Sequence, residues 1–252
     1  MNQRIDRLIH TGAGVPEAVW SAWLRTSGPC ERLDLGPSSR LVVVAPHPDD
    51  EVLMCGGLIA RHIDAGGHCL IIGVTDGEAS HPGLTNWHGR SLAEIRQAER
   101  RSGLSRLGAD PHRLVALGVP DGRVRETMST VSEALRRALR AGDVVVTTWR
   151  YDGHPDHEAT GEATLDVCRS VGLRCLQAPV WMWNWACPQT PGLPFDQMRR
   201  VTLSADQSRR KRAALSAHLS QCSAVAGRSP IVDSDAIARA AWPFELFVAQ
   251  PS

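Results

Sequence analysis

The stretch Leu41 to Ala45 is a continuous apolar run, mostly β-branched, and it narrows the folds open to this chain more than any other feature. A run without polar alternation suits a strand covered on both faces, and such strands belong to parallel sheets. The chain then passes through Ala45 to Met54, A-P-H-P-D-D-E-V-L-M, from strand pattern into helix pattern. Cys69 to Val74 and Val144 to Thr148 repeat the buried-strand pattern. Val52 to Ala65 reads as a helix stopped by Gly66 and Gly67, which makes the first strand, helix and strand one βαβ unit.

The other segments follow the same rhythm. Pro16 to Arg25 has helical spacing, with Trp20 and Trp23 as packing residues, and Gly36 to Ser39 is a turn. Thr75 to Arg90 is a long polar stretch of the kind that carries function in compact domains. Ser91 to Leu107 is a helix closed by Gly108, Arg113 to Leu117 a strand, Glu126 to Arg140 an amphipathic helix, and Ala159 to Val171 another helix. Arg174 to Val180 is a strand, and Val180 to Trp185 alternates as a strand that would set Trp181, Trp183 and Trp185 on one face. Arg199 to Leu203 is a strand, Ala205 to Leu219 a helix, and Phe244 to Ala249 a closing strand. Alternating β and α elements with buried strands predict a three-layer, Rossmann-like α/β fold with a mostly parallel central sheet. Residues 1–37 form a lead-in and 38–252 a single α/β domain.

With 252 residues, 42% of them hydrophobic, the chain can bury a full core. A formal net charge of +1 gives no reason to expect a nucleic-acid or membrane surface. No run approaches the roughly 18 apolar residues of a membrane span, and the N-terminus lacks the pattern of a signal peptide. The seven cysteines are scattered and contain no C-x-x-C pair, which fits a reducing compartment. The expected location is therefore the cytoplasm. No G-x-G-x-x-G follows any predicted strand, so a dinucleotide site is not indicated.

The chemistry lies in H-P-D-D-E, from His47 to Glu51, and in its echo H-P-D-H-E, from His154 to Glu158. In each, a histidine precedes a proline and is biased to extended backbone, while the proline is suited to open a helix. Both motifs thus put a histidine at the carboxyl end of a strand, where open α/β sheets bind ligands. Acidic residues in a first helical turn are also a favourable helix start in their own right. That alternative leaves His47 unexplained, because histidine is a poor N-cap. It also leaves the repetition unexplained. A catalytic zinc site takes three N or O ligands and keeps a position open for water. His47, Asp50 and His157 supply that set. Asp49 points elsewhere than its neighbour and is free to act as general base.

These residues resemble the LmbE-like (PIG-L) family of zinc-dependent de-N-acetylases. His47 to Glu51 matches the family's first signature and His154 to His157 its second. Arg96-x-x-Glu99, Pro120-Asp121-Gly122 and the stretch Lys211 to Gln221 add agreement, so the resemblance spans roughly residues 40 to 250. It implies a zinc ion (Zn2+) on His47, Asp50 and His157. It further implies Asp49 as the base that becomes the acid for the leaving amine, and a cationic His154 stabilising the oxyanion. Some members carry a tyrosine oxyanion donor where this chain has Asp152, and Tyr151 lies one residue earlier. Asp152 is expected instead to hydrogen-bond a histidine ring.

Asp76, at the end of the second strand, and Arg96 are candidate substrate contacts, together with Asp152. Glu78, His81, Asn86, Trp87 and His88 are weighed, with Asp76, as a substrate-recognition loop against a merely solvated one, and Arg90, like Arg96, as a substrate contact against a solvated arginine. The tryptophan stripe is read as core, with an acyl or sugar wall as the alternative and an apolar surface suited to a homo-oligomer contact. His62, His68, His112 and His218 are read as structural. The expected activity is removal of an N-acyl group, most simply acetyl, from an amino sugar or sugar-containing small molecule. The alternatives are the same chemistry on a thiol conjugate or secondary-metabolite amide, and a non-catalytic metal-binding module.

Overall fold

The computed structural model describes residue 9 and residues 14–28, 31–33, 35–36, 39–84, 87 and 89–249. Along the chain run α1 (Glu17–Thr26), β1 (Leu41–Ala45), α2 (Asp50–Asp64), β2 (Cys69–Gly73), α3 (Leu92–Leu107), β3 (Leu114–Ala116), α4 (Met128–Ala138) and β4 (Val144–Thr148). They are followed by α5 (Pro155–Val171), β5 (Arg174–Ala178), α6 (Met182–Trp185), β6 (Met198–Thr202), α7 (Ala205–Leu215), α8 (Leu219–Cys222), α9 (Ser234–Ala240) and β7 (Phe244–Ala249).

The strands form one sheet in the order β3-β2-β1-β4-β5-β7-β6. The first five are parallel, and β7 runs antiparallel to both β5 and β6. This is the mostly parallel α/β sheet that the apolar runs predict. β1 is covered on both faces. Leu41, Val43 and Ala45 join one core cluster with Leu58, Leu104 and Leu215, while Val42 and Val44 join another with Val131, Leu135 and Val167. Each fully buried valine contributes about 1.5–3 kcal/mol relative to exposure, so a polar residue anywhere in β1 would be costly. From β1 the chain moves outward to β2 and β3, then returns to β4 on the other side. The reversal opens a crevice at the carboxyl ends of β1 and β4.

Local chemistry sets the helix limits. α3 starts at a capping box, Ser91 and Glu94 each accepting from the other's backbone N–H, and ends at Gly108 in the left-handed conformation at φ 83°. α7 starts with the equivalent pair Ser204 and Gln207. It stops at Leu215 rather than continuing to Leu219. The N–H groups of Ala217 and His218 bond to the carbonyls three residues back, tightening the last turn, and the His218 ring turns into the core under α3. α9 is absent from the sequence expectations. Its signal is Asp233, whose side chain accepts the Ala236 N–H at the helix start.

The alternating segment Val180 to Trp185 is not a strand, and its tryptophans do not share a face. β5 ends at Ala178, and the chain turns into the short helix α6. The cause is Asp152, whose carboxylate accepts the N–H groups of Val180, Trp181 and Met182 at 2.9–3.0 Å. Donors that a ladder would have used converge on one buried anion and curl the backbone. Trp183 is buried against Trp20 of α1, ring centroids 4.9 Å apart, and the Trp20 indole N–H donates to the Trp183 carbonyl. Among the described residues, no helix is long and apolar enough to cross a membrane.

Candidate active site

The two motifs leave the sheet from neighbouring strands. β1 and β4 pair in parallel with Leu41 opposite Val144 and Val44 opposite Thr147, so the residues beyond Ala45 and Thr148 emerge at one lip. His154 caps α5 in the extended conformation that a following proline favours (φ −91°, ψ 128°), and Pro155 is the first helical residue. Asp49 caps α2 from the left-handed region at φ 116°. For a non-glycine residue that conformation costs of order 1–3 kcal/mol. It is held in place locally: the Asp49 carbonyl accepts from Val52 and Leu53 at 2.8 and 2.9 Å, and the Asp50 carboxylate accepts the His47 N–H at 3.0 Å.

Three side-chain atoms converge. His47 Nδ1, Asp50 Oδ2 and His157 Nε2 stand 3.2 Å from one another on every side of the triangle. Ligands about 2.1 Å from a tetrahedral zinc ion lie roughly 3.4 Å apart, so the spacing and the N, N, O chemistry fit a zinc ion. The far side of each imidazole faces carboxylates: His157 Nδ1 is 2.8 Å from Asp152 Oδ2, and His47 Nε2 is 3.2 Å from Asp121 Oδ1 and 3.4 Å from Asp156 Oδ2. Such partners fix the tautomer that leaves the inward nitrogen free to ligate.

Two other groupings bring ligand atoms within 4.8 Å of each other, His47 with His154 and His157, and His47 with Asp121 and Asp156. They fit a metal less well. Asp156 already accepts from the N–H groups of Gly122 and Val124 at 2.7 and 3.2 Å, and His154 Nδ1 accepts the Asp156 N–H at 3.2 Å.

Burial disfavours the charged form of Asp50, yet the His157 and His47 rings outweigh it and hold this carboxyl far below the usual range. Burial likewise works against protonation of His157, but Asp50 and Asp152 carry it to about 9. Asp49 moves the other way. Burial first, then the charges of Asp50 and Glu51, push it well above the ordinary carboxylate value, with Arg96 and His47 opposing. Burial lowers His154 to about 3, with His157 and His47 adding to the effect. Its Nδ1 lone pair is already occupied by the Asp156 N–H. Burial and this bond both favour a neutral His154 over the cation expected from the sequence, and leave Nε2 as the ring's donor.

His47, Asp49, Asp50, His154 and His157 line one cavity, with Arg96, Ser80, Asp121 and Gln221 as further polar walls and Leu53, Trp181 and Val232 as apolar ones. Arg96 is buried and donates through Nη1 to the Gly77 carbonyl at 2.5 Å, while its Nη2 has no partner among the described residues. Asp76 is spent on Gln97, whose Nε2 is 2.7 Å away, and does not line the cavity. Asp152 is fully buried and bonds the His157 ring, the role expected of a supporting carboxylate. Tyr151 is 45% exposed, packs edge-on to Trp149 and is not a cavity wall. Glu51 faces Arg100 in the core, and Glu158 accepts the Gly153 N–H. His81 is buried beside Ser80, and Trp87 and Arg90 line a separate groove. Asn86 and His88 lie outside the described residues. Asp121 and Asp156 were not singled out from sequence as site residues, although both stand inside matched motifs, P-D-G and H-P-D-H.

The PIG-L family model, described as GlcNAc-PI de-N-acetylase, matches residues 42–168. The chain belongs to the PIG-L family. It is accordingly an N-deacetylase, a hydrolase of amides. A 1D-myo-inositol 2-acetamido-2-deoxy-alpha-D-glucopyranoside deacetylase of Rhodococcus erythropolis is 27% identical, over 84% of this PIG-L chain and 90% of the relative. A protein of the same name from Saccharomonospora viridis is 34% identical, over 54% of this chain and 60% of that one. The crystal structure of a conserved protein from Thermus thermophilus is 28% identical and superposes with a TM-score of 0.61, covering 84% of this chain and 94% of that one.

Proposed function

We propose that this PIG-L protein is a zinc-dependent N-deacetylase that hydrolyses the amide of an N-acetylated amino sugar, free or carried on a small molecule such as an inositol. The reading rests on the triangle of His47 Nδ1, Asp50 Oδ2 and His157 Nε2, 3.2 Å on each side, with the unligated Asp49 carboxyl on the same cavity. The inositol glycoside named for two relatives supports the substrate class. So do the hydrogen-bonding groups of Arg96, Ser80, Asp121 and Gln221, which line the cavity and suit a polyol.

His47, Asp50 and His157 would hold a zinc ion, which would supply an acidified water and polarisation of the amide carbonyl. The raised pKa of Asp49 makes it a stronger base than an exposed aspartate. It accepts the proton of the attacking water and then returns a proton to the amine nitrogen as the C–N bond breaks. The His154 Nε2–H donates to the former carbonyl oxygen as negative charge gathers there, which favours the transition state over the bound amide. Asp152 and the Asp121–Asp156 pair keep the His157 and His47 rings oriented.

The test is amine release from N-acetylglucosamine and its inositol glycoside, measured on protein stripped by a chelator and then given one equivalent of zinc. Activity that disappears on stripping and returns with zinc supports the reading. A zinc-loaded, folded protein that releases no amine from any N-acetyl amino sugar overturns it.

A further inference from the structure

A second cavity adjoins the catalytic one and plays no part in the chemistry above. Leu53, Trp181 and Val232 line both, so the two share a wall. Its other sides are aromatic: Trp183 meets Trp242 edge-to-face at 5.4 Å, and Trp242 stacks on Phe244 at 5.5 Å. The polar edges of these rings are committed elsewhere. Trp183 Nε1 donates to the Pro179 carbonyl at 2.9 Å, and Trp242 Nε1 to Glu17 Oε1 at 2.7 Å. Lys211 and Glu245 also line the cavity and neutralise each other. Lys211 Nζ lies 2.6 Å from Glu245 Oε1 and 3.1 Å from the Leu53 carbonyl, while Glu245 accepts the N–H groups of Gly57 and Leu58 at 2.8 Å each. Arg239, a further wall, directs Nη1 to the Val15 carbonyl at 3.4 Å. Lys211, Glu245 and the Trp183 and Trp242 indole N–H groups are thus engaged by protein partners, and the walls beside them, Met54, Val180, Ala236 and Leu246, are apolar and suit hydrocarbon.

We infer that this aromatic cavity is an acyl subsite and that the enzyme hydrolyses straight-chain N-acyl groups longer than acetyl. The inference rests on the N-deacetylase reading. A bound amide has two sides. The amine side carries hydroxyls, and Ser80, Arg96, Asp121 and Gln221, the groups able to bond them, line the catalytic cavity but not the aromatic one. The acyl side is hydrocarbon, and the apolar residues Leu53, Trp181 and Val232, which the catalytic cavity shares with the aromatic one, are the walls that suit it. Burial of a methylene is worth about 0.8 kcal/mol, or about fourfold in kcat/KM for each one seated.

The experiment compares kcat/KM for N-acetyl-, N-butyryl-, N-hexanoyl- and N-octanoylglucosamine on the zinc-loaded enzyme, with the octyl glycoside of N-acetylglucosamine as a separate arm. The expected result is a rise of at least about tenfold from acetyl to hexanoyl. Ala236→Trp, which fills the aromatic cavity from α9 away from the metal ligands, should remove that rise and leave acetyl turnover unchanged. Unchanged acetyl turnover also serves as the folding control, and Ala240→Phe on the same helix is the second variant should the first not fold. A rate that falls steadily with chain length while acetyl turnover is intact overturns the subsite, as does a rise that persists in the filled variants. A gain only with the octyl glycoside assigns the cavity to the aglycone and overturns it too. Absence of turnover on every amide removes the N-deacetylase reading itself and the subsite with it.

Discussion

His157 Nε2 stands 3.2 Å from His47 Nδ1 across 110 residues of chain. The contact exists because β1 and β4 are neighbours at the point where the strand order reverses. Each histidine is the first or last part of a strand-to-helix handover, and the two handovers share one lip. The candidate metal site is thus a property of the sheet order as much as of its donor atoms.

Asp49→Asn keeps the size of the side chain and removes its ability to take a proton. Turnover is expected to drop by about 10²–10⁴ with zinc content unchanged, because Asp49 is not a corner of the donor triangle. Zinc measured by atomic absorption alongside amine release decides the matter; wild-type turnover in the variant would rule Asp49 out as the base.

Asp152 joins His157, a proposed metal ligand, to the tryptophan turn, bonding its Nδ1 at 2.8 Å and three backbone N–H groups of residues 180–182. Asp152→Asn brings an amide NH2 against donors. Zinc affinity should weaken by about 10–100-fold, read by competition with a chromophoric chelator, and tryptophan emission should shift as α6 loosens. A lower melting temperature with unaltered zinc affinity would confine Asp152 to a folding role.

Asp50 and Asp152 raise His157 to about 9 in the metal-free chain, so zinc binding at pH 7.5 is expected to release a proton. Calorimetry in buffers of different ionisation enthalpy should show that release, and apparent affinity should fall as pH drops below 9. The sign for stability follows from the raised value. The protonated ring stabilises the metal-free fold fully below about 6.5, and that contribution, roughly 3 kcal/mol at most, is lost as pH rises through 9. Metal-free protein that melts at the same temperature at pH 6.5 and pH 9.5 would contradict this.

His218 is fully buried, and burial first, then the Arg100 and Arg96 cations, hold its pKa near 3. A depressed value has the opposite sign. Stability is intact above about 6.5 and declines toward pH 3, by up to about 1.4 kcal/mol per pH unit. Denaturant melts of His218→Gln between pH 7 and pH 4 should show a shallower loss than the parent chain. Parallel curves would mean that His218 is not a source of acid sensitivity.

Gly161 lies in α5, one turn past His157. Alanine would favour the helix by about 1 kcal/mol, but its Cβ would stand 2.5 Å from the Thr148 carbonyl oxygen, a backbone atom that cannot step aside. Overpacking of that kind costs about 1–3 kcal/mol, so Gly161→Ala should lower the melting temperature by a few degrees and weaken zinc binding as α5 lifts from β4. A variant more stable than the parent would show that the helix and strand are loosely packed.

The strands β1, β2 and β4 were legible because buried strands demand apolar runs, and α3 because its cap and stop are written in adjacent residues. That His47, Asp50 and His157 are candidates for one site was legible because ligation restricts residue type, and their donor atoms do converge. The course of Val180 to Trp185 was not. Its alternation is a genuine strand pattern, and the charge that bends it, Asp152, lies 28 residues earlier in the chain. The partner of Asp76 was hidden for a similar reason: its position at a strand end does not reveal that Gln97 will reach it.

The amino-acid sequence alone determined the α/β class and which side chains can hold a metal, because apolar periodicity and ligand chemistry are carried by single residues and near neighbours. Only the tertiary structure decided that His47 and His157 share a corner of space, that Asp152 stands behind one ring and Asp121 with Asp156 behind the other, and that an aromatic cavity borders the site. Those relations depend on which strands lie side by side, and that choice is made by the packing of the whole sheet.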